Sequence, residues 1–405
     1  MARRLLALAL AALLLTAGCQ APTSPDASAV ATDASAATTA DSTDATDENE
    51  SQGYVTTSAA FEVDVERIYV RVGRLLDAPR DLWPRVTIER AEPPEGGGPV
   101  TSESTGFTEL MGIVASSDSG GEGEGDDGVQ TGAVARGTTV TVYNHEELGP
   151  RGTENLLAHE YVHVFQTLHD VQTPLVELGR GRNLRLLYGV VVEGAAEWIQ
   201  EEYAIEYQDV TVDQTTFSDR WRNASAYVRW TLAPYEYGSR YYELRVDDPA
   251  AVSDVYDRPP RSTEQVIHGY APSEEPVADL RVGVRDDDSF ELVERSTKGE
   301  LFARIALSTE LGFERAAAAA DGWGADRLLR FTDGSASGYA WVLRWDDASE
   351  ATEFQDAFAD YTANRSVPFD TAHVSDETVV VFAGADAFVE NASATGTDGD
   401  VTVRA

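Results

Sequence analysis

Two histidines four residues apart constrain this chain more than any other feature of its sequence. The segment His159-Glu160-Tyr161-Val162-His163 follows the pattern H-E-x-x-H, and residues four apart on a helix lie one turn apart on the same face. The segment therefore predicts a helix on which both imidazoles bind one metal ion. We expect the ion to be Zn²⁺ and Glu160 to take a proton from water that the metal activates. The alternative is a pair of histidines that are hydrogen-bonded near the core.

The third metal ligand has two candidates. His169 lies ten residues after His159, as the third histidine of metzincins does, but Gln166 stands where metzincins have glycine. If the helix continued, His169 would lie about 15 Å further along the axis and about 80° off the face. We therefore prefer a residue outside this segment.

Glu193 is the preferred third ligand, because its surroundings resemble a known motif. The run Val192-Glu193-Gly194-Ala195-Ala196-Glu197-Trp198 resembles the E-G-x-A-E segment of gluzincins, a class of zinc metallopeptidases, and a helix over 186–203 would carry it. The resemblance implies a His-His-Glu site that Glu193 completes. Glu197 lies one turn further, where its carboxylate would accept a hydrogen bond from a ligand histidine and orient the ring. The alternative is a solvated acidic face, against which the apolar neighbours of both glutamates argue.

Two further segments resemble gluzincin-like families and offer groups that would stabilise an oxyanion. The run 235–238 is similar to the Y-x-x-G segment that follows the active-site helices, so Tyr235 or Tyr237 would polarise a substrate carbonyl. An aromatic core helix is the alternative there. The run 259–268 is similar to a segment of surface proteins of this H-E-x-x-H type, and it offers His268 for the same role. The whole resemblance, over 155–358, is to poorly characterised haloarchaeal surface lipoproteins and bacterial relatives.

The N-terminus predicts export and a lipid anchor. Arg3 and Arg4 precede an apolar run, and Leu15-Thr16-Ala17-Gly18-Cys19 resembles the lipobox of bacterial and archaeal lipoproteins. We expect a signal peptide over 1–18, lipidation of Cys19, and export by the Tat or Sec route to the extracellular face of the cytoplasmic membrane. An uncleaved anchor is the alternative, although the apolar run is too short to cross about 30 Å of hydrocarbon. The Ala-, Ser-, Thr- and Asp-rich segment 19–53 predicts a disordered stalk.

Composition limits the partners and the chemistry. With 31 basic and 70 acidic residues, the net charge of −39 excludes a nucleic-acid partner, because phosphate contacts need clustered Lys and Arg. The acidic excess and the single lysine, Lys298, resemble proteins adapted to near-saturating salt, so we expect a halophilic, archaeal source. Cys19 is the only cysteine, which excludes a thiolate zinc site.

Candidate glycosylation triplets begin at Asn223, Asn364 and Asn391.

The remaining pattern predicts an α+β fold. We expect a zincin-like metallopeptidase domain over 54–285, in which two active-site helices pack near a small mixed sheet that includes Thr138 to Tyr143. A C-terminal α/β part over 286–405 should follow, with helix over 301–320 and strands at 339–345, 378–382 and 401–403.

These features together predict a cell-surface, zinc-dependent peptidase that hydrolyses a peptide or protein substrate through metal-activated water. The alternative is a non-catalytic zincin-fold lipoprotein that acts in adhesion, envelope integrity or solute capture. A third possibility is a peptidase that stays inhibited until its C-terminal part is cleaved. The sequence specifies neither the substrate nor the oligomeric state.

Overall fold

The computed structural model describes residues 53–92, 106–114, 132–143, 149–177, 183–208, 219–285 and 289–405. The expected signal peptide, Cys19 and the stalk up to residue 52 therefore lie outside the described residues. The helices are α1 (Val65–Leu75), α2 (Gly106–Leu110), α3 (Pro150–Gln166), α4 (Gln172–Glu177), α5 (Leu184–Gln208), α6 (Asp219–Asn223), α7 (Ala226–Arg245), α8 (Ser253–Asp257), α9 (Thr263–His268), α10 (Gly299–Leu307), α11 (Phe313–Ala318), α12 (Ala348–Thr362) and α13 (Asp386–Asn391). The strands are β1 (Val55–Thr57), β2 (Val86–Ala91), β3 (Ala133–Arg136), β4 (Thr139–Tyr143), β5 (Arg281–Arg285), β6 (Glu291–Ser296), β7 (Trp323–Thr332), β8 (Ser337–Trp345), β9 (Phe369–Ser375), β10 (Thr378–Gly384), β11 (Ser393–Thr397) and β12 (Asp400–Arg404).

The described residues form two compact units. The first contains 53–92, 132–143, 149–169 and 199–208, and the second contains the other described residues. The boundary passes through α5, which is one uninterrupted helix. Mixed helices and sheets in both units confirm the predicted α+β class.

The first unit holds the predicted small mixed sheet. Its strand order is β1-β2-β4-β3, with β1, β2 and β4 parallel and β3 antiparallel to β4. Buried residues alternate along β4, where Val140 and Val142 point to the core. The strand predicted at 138–143 is therefore confirmed.

Helix α3 packs on α1 through the face opposite its two histidines. The hydroxyl of Tyr161 donates to the Val65 carbonyl at 3.0 Å, and the ring of Phe165 stacks on Tyr69 with centroids 5.0 Å apart. Residues 161 and 165 lie about 200° around the helix from 159 and 163 respectively. This packing therefore turns the histidine face away from α1.

Thr153 is a favourable N-cap residue, so the sequence predicts a helix that begins at Glu154, but α3 begins earlier. The helix begins at Pro150 with Gly149 as the N-cap. Proline fits the first helical position because its fixed φ is helical and its missing N–H would have no helical partner there. Thr153 is consequently buried inside the first turns.

Helices α3 and α5 run antiparallel. The hydroxyl of Tyr203 donates to the Glu154 carboxylate at 2.7 Å, and Nε of Arg151 donates to the Gln208 side chain at 3.3 Å. Positions further along α3 therefore pair with positions earlier in α5, which brings the second histidine of the motif level with the middle of α5.

The second unit contains two sheets. One has five antiparallel strands in the order β6-β7-β8-β10-β9, and the other has three strands in the order β11-β12-β5. An apolar cluster that includes Phe331, Val380 and Phe388 packs against residues of β5 and β12. Outside this cluster, Trp341 of β8 contacts Phe302 of α10 and Phe354 of α12.

The C-terminal sheet begins before the domain boundary expected at residue 285. Strand β5 ends at Arg285 but pairs in parallel with β12, in register from Arg281↔Asp400 to Arg285↔Arg404. Strand pairing across more than a hundred residues therefore joins β5 to the C-terminal part. In the same region, the continuous helix expected over 301–320 is two helices, α10 and α11.

Within the part of the chain that the structure describes, no helix has the length and apolar character that crossing a membrane requires.

Candidate metal centre

Two imidazoles and one carboxylate converge between α3 and α5. The ligand atoms of His159, His163 and Glu193 all lie within 4.8 Å of one another, and the three side chains are buried. The two imidazole rings are 4.9 Å apart between centroids, at an interplanar angle of 73°. The structure therefore brings together the three residues that the sequence predicted as metal ligands.

The donor set fits a divalent ion. Ligand atoms 2.0–2.2 Å from a tetrahedral ion lie about 3.4 Å apart, so small side-chain movements within the observed 4.8 Å limit are enough to close the site. Imidazole nitrogen and carboxylate oxygen are ordinary ligands for such ions, and burial strengthens their attraction to a cation. The group is thus compatible with a bound metal.

Glu160 and Glu197 accompany the three ligands. Glu160 follows His159 on α3 and its side chain is fully buried. Burial of a carboxylate is costly without a compensating positive charge or hydrogen bonds. Glu197 lies one turn after Glu193 on α5 and is half-buried. Its predicted hydrogen bond to a ligand histidine stays a prediction.

The side chain of Gln166 contacts a ligand histidine, which sequence reasoning did not foresee. Nδ1 of His163 lies 2.8 Å from Oε1 of Gln166, and both side chains are buried. In the sequence, Gln166 stands out only as a departure from the glycine of metzincins. The signal in the sequence is a polar residue three positions after a predicted ligand, on a stretch of helix that is otherwise mostly apolar.

His169 is not one of the three converging residues. Helix α3 ends at Gln166 and is followed by tight turns, in which the Thr167, Leu168 and His169 amides each donate to the carbonyl three residues back. The helix therefore does not continue to His169, which is exposed and is not among the converging ligands.

Helix α7 supports α5 beside Glu193. A Cβ on Gly194 would lie 2.5 Å from the Cα of Gly238, so the two helix backbones touch at this point. The hydroxyl of Tyr242 donates to the Val191 carbonyl at 2.8 Å. Both glycines belong to the motifs that carry the family resemblance, and their shared physical role is a close helix crossing.

Tyr235 and Tyr237 are buried on α7. The ring of Tyr237 meets Trp221 edge-on, with centroids 5.5 Å apart. Burial raises the pKa of Tyr237 to about 12, with the charges of Arg304 and Glu300 as smaller contributions. The Tyr237 phenol therefore stays protonated at neutral pH. Its hydroxyl can donate one hydrogen bond and can also accept hydrogen bonds at its oxygen.

His268 belongs to a second group of charged side chains. Its Nε2 lies 3.3 Å from both Glu300 and Asp321, and 3.4 Å from the guanidinium of Arg304. Arg304 also pairs with the fully buried Glu300. The Arg304 guanidinium supplies the positive charge that balances these carboxylates, so the group around His268 needs no metal ion. Among the described contacts of His268, none is with His159, His163 or Glu193.

A cavity of about 210 Å³ lies in the second unit, apart from the metal residues. Arg261, Ser262 and Thr263 line it, together with Trp323 and Arg327 among others. The segment 259–268 therefore contributes to this cavity, and none of the predicted metal ligands does.

The three predicted glycosylation triplets lie on the surface. Asn223 ends α6, Asn364 follows α12 and Asn391 ends α13, and all three side chains are exposed. Exposure is what a bulky glycan requires. Their modification stays a prediction.

The fold and the site define an α+β protein with a buried His-His-Glu group next to the glutamate of an H-E-x-x-H motif. Residues 289–405 match the model of a domain of unknown function (DUF8575). Comparison with curated proteins gave no match, and comparison with solved structures gave none. The matched region begins after the metal residues and covers β6 to β12.

Proposed function

We propose that this chain is an exported zinc-dependent peptidase of the gluzincin type. The convergence of His159, His163 and Glu193 in a buried group supports the proposal most strongly. Two histidines and one glutamate without a thiolate form a ligand set of catalytic zinc sites, where a fourth position stays open for water or substrate. The H-E-x-x-H spacing favours zinc over other divalent ions.

When bound, zinc supplies Lewis acidity, which polarises a carbonyl and lowers the pKa of water towards about 7. Glu160 is the general base, since it directly follows a ligand histidine on α3 and its carboxylate is buried. It takes a proton from the attacking water and passes it to the leaving amine. Tyr235 is a proposed hydrogen-bond donor to the carbonyl oxygen, and Glu197 is proposed to orient a ligand ring.

We also propose that the protein is attached to the outer face of the cytoplasmic membrane through a lipid on Cys19. The lipobox-like run that ends at Cys19 supports this attachment, and the polar segment after it would hold the described body away from the bilayer. A halophilic, archaeal source fits the net charge of −39. The substrate is a peptide or protein outside the cytoplasm.

Glu160→Gln tests the catalytic proposal. Protein purified in high salt is analysed for bound metal and assayed on casein and on a fluorogenic peptide, with and without a chelator. Wild type should hold one zinc and hydrolyse both substrates. Glu160→Gln should keep its zinc but lose activity by roughly 10²- to 10⁴-fold, the usual contribution of a general base. Glu154→Gln makes the same change earlier on α3 and should retain activity.

Zinc binding without hydrolysis in the wild type, including after trimming of the C-terminal part, would favour the alternative of a non-catalytic surface lipoprotein. Absence of zinc would overturn the proposed metal centre. Unchanged turnover in Glu160→Gln would remove Glu160 from the mechanism.

A further inference from the structure

The side chain of Gln166 selects which nitrogen of His163 is available to a metal. Oε1 of Gln166 lies 2.8 Å from Nδ1 of His163. An amide oxygen only accepts hydrogen bonds, so Nδ1 must carry the ring proton and donate it. In a neutral imidazole the other nitrogen then keeps its lone pair. Nε2 is therefore the nitrogen that can act as a ligand.

We infer that Gln166 is a positioning residue of the metal centre, which fixes the tautomer and the ring orientation of His163. The inference rests on the proposed function of the site, and it adds a residue that the H-E-x-x-H motif does not contain. Hydrogen-bond partners behind a ligand histidine commonly determine how well the ring binds its metal.

Helix geometry explains why position 166 reaches this ring. Side chains on a helix lean towards the N-terminus, so a residue lies over the turn that precedes its own Cα. Gln166 is three positions after His163 and is the last residue of α3. Its side chain therefore returns to the preceding turn, where the imidazole of His163 lies. Because both side chains are buried, water competes weakly for this hydrogen bond.

The side-chain amide of Gln166 is uncharged, so it draws the Nδ1 proton less strongly than a carboxylate would. A carboxylate at this position would draw the Nδ1 proton more strongly and make the imidazole a more basic ligand. Glutamate and glutamine have nearly the same shape, whereas leucine fills a similar volume without an acceptor. The series Gln, Glu and Leu at position 166 therefore separates hydrogen bonding from packing.

The test measures zinc affinity in the full-length protein, by titration against a chelator of known affinity in high salt. The variants are wild type, Gln166→Leu, Gln166→Glu and a control, Gln208→Leu, which makes the same substitution at the end of α5 where the side chain contacts Arg151. We expect Gln166→Leu to weaken zinc binding by roughly 10- to 100-fold. Gln166→Glu should bind at least as tightly as wild type, and Gln208→Leu should match wild type.

The visible spectrum of Co²⁺-loaded protein is the second measurement. It should change in Gln166→Leu, because the imidazole loses its fixed orientation, and should stay unchanged in Gln208→Leu. Zinc affinity in Gln166→Leu within threefold of wild type would overturn the inference and leave the proposed site intact. A Gln166→Glu protein that binds as weakly as Gln166→Leu would overturn it too. A wild type that binds no zinc would reject the proposed metal centre itself.

Discussion

Gly194 and Gly238 are in backbone contact where α5 crosses α7. A Cβ on Gly194 would lie 2.5 Å from the Cα of Gly238, and a Cβ on Gly238 would lie 2.7 Å from the Cα of Gly194. Real Cβ atoms do not approach backbone this closely, so neither position accepts a side chain without separation of the helices. The crossing lies directly beside Glu193, which links the packing of α7 to the position of a proposed metal ligand.

Gly194→Ala should therefore destabilise the protein and weaken metal binding together. Overpacking costs about 1–3 kcal/mol, which exceeds the gain of up to about 1 kcal/mol from replacing a helical glycine with alanine. Thermal unfolding and zinc titration measure the two effects. Gly312→Ala is the control, since a Cβ there would meet nothing within 4 Å. Equal unfolding temperatures for Gly194→Ala and wild type would contradict the predicted clash.

Substitution of the histidines should separate the two candidate patterns for the third ligand. His163→Ala removes one of the three converging donors and should reduce bound zinc at micromolar metal to a small fraction of one equivalent. His169→Ala should leave zinc content unchanged, because His169 is exposed and outside the converging group. Elemental analysis of dialysed protein checks both. Loss of zinc in His169→Ala would restore the metzincin-like alternative.

Glu264 should make stability depend on pH. Burial, and secondarily the surrounding negative charges, raise the pKa of its carboxyl from 4.5 to about 9; the charged neighbours are Glu300, Asp346, Glu275 and Asp321. The folded state therefore binds more protons than the unfolded state between these values. The contribution of Glu264 to stability is complete below pH 4.5 and is lost as pH rises through about 9.

Glu264→Gln should remove this dependence and stabilise the protein by roughly 3 kcal/mol at pH 7, because glutamine needs no proton to be buried uncharged. Denaturant unfolding at constant salt between pH 5 and 9 measures the difference from wild type. Glu314→Gln is the control, since the Glu314 side chain is 83% exposed. A difference between Glu264→Gln and wild type that does not grow with pH would rule out Glu264 as the source.

The fold could be predicted where a pattern is local. The strand at 139–143 and the helices that carry the motif follow from residue alternation and helical spacing. Helix ends were less predictable, because the start of α3 depends on Pro150 at the first helical position. The pairing of β5 with β12 joins segments more than a hundred residues apart, and no local pattern encodes such a pairing.

The sequence by itself determined that His159 and His163 share one face, because a helix repeats every 3.6 residues. It also identified Glu193 through a motif resemblance. Only the tertiary structure decided that this carboxylate reaches the imidazoles, that Gln166 contacts His163, and that His268 instead joins Glu300 and Arg304. The physical reason is that periodicity fixes the direction of a side chain relative to its own helix, whereas distances between helices depend on packing, here including the glycine contact of α5 with α7.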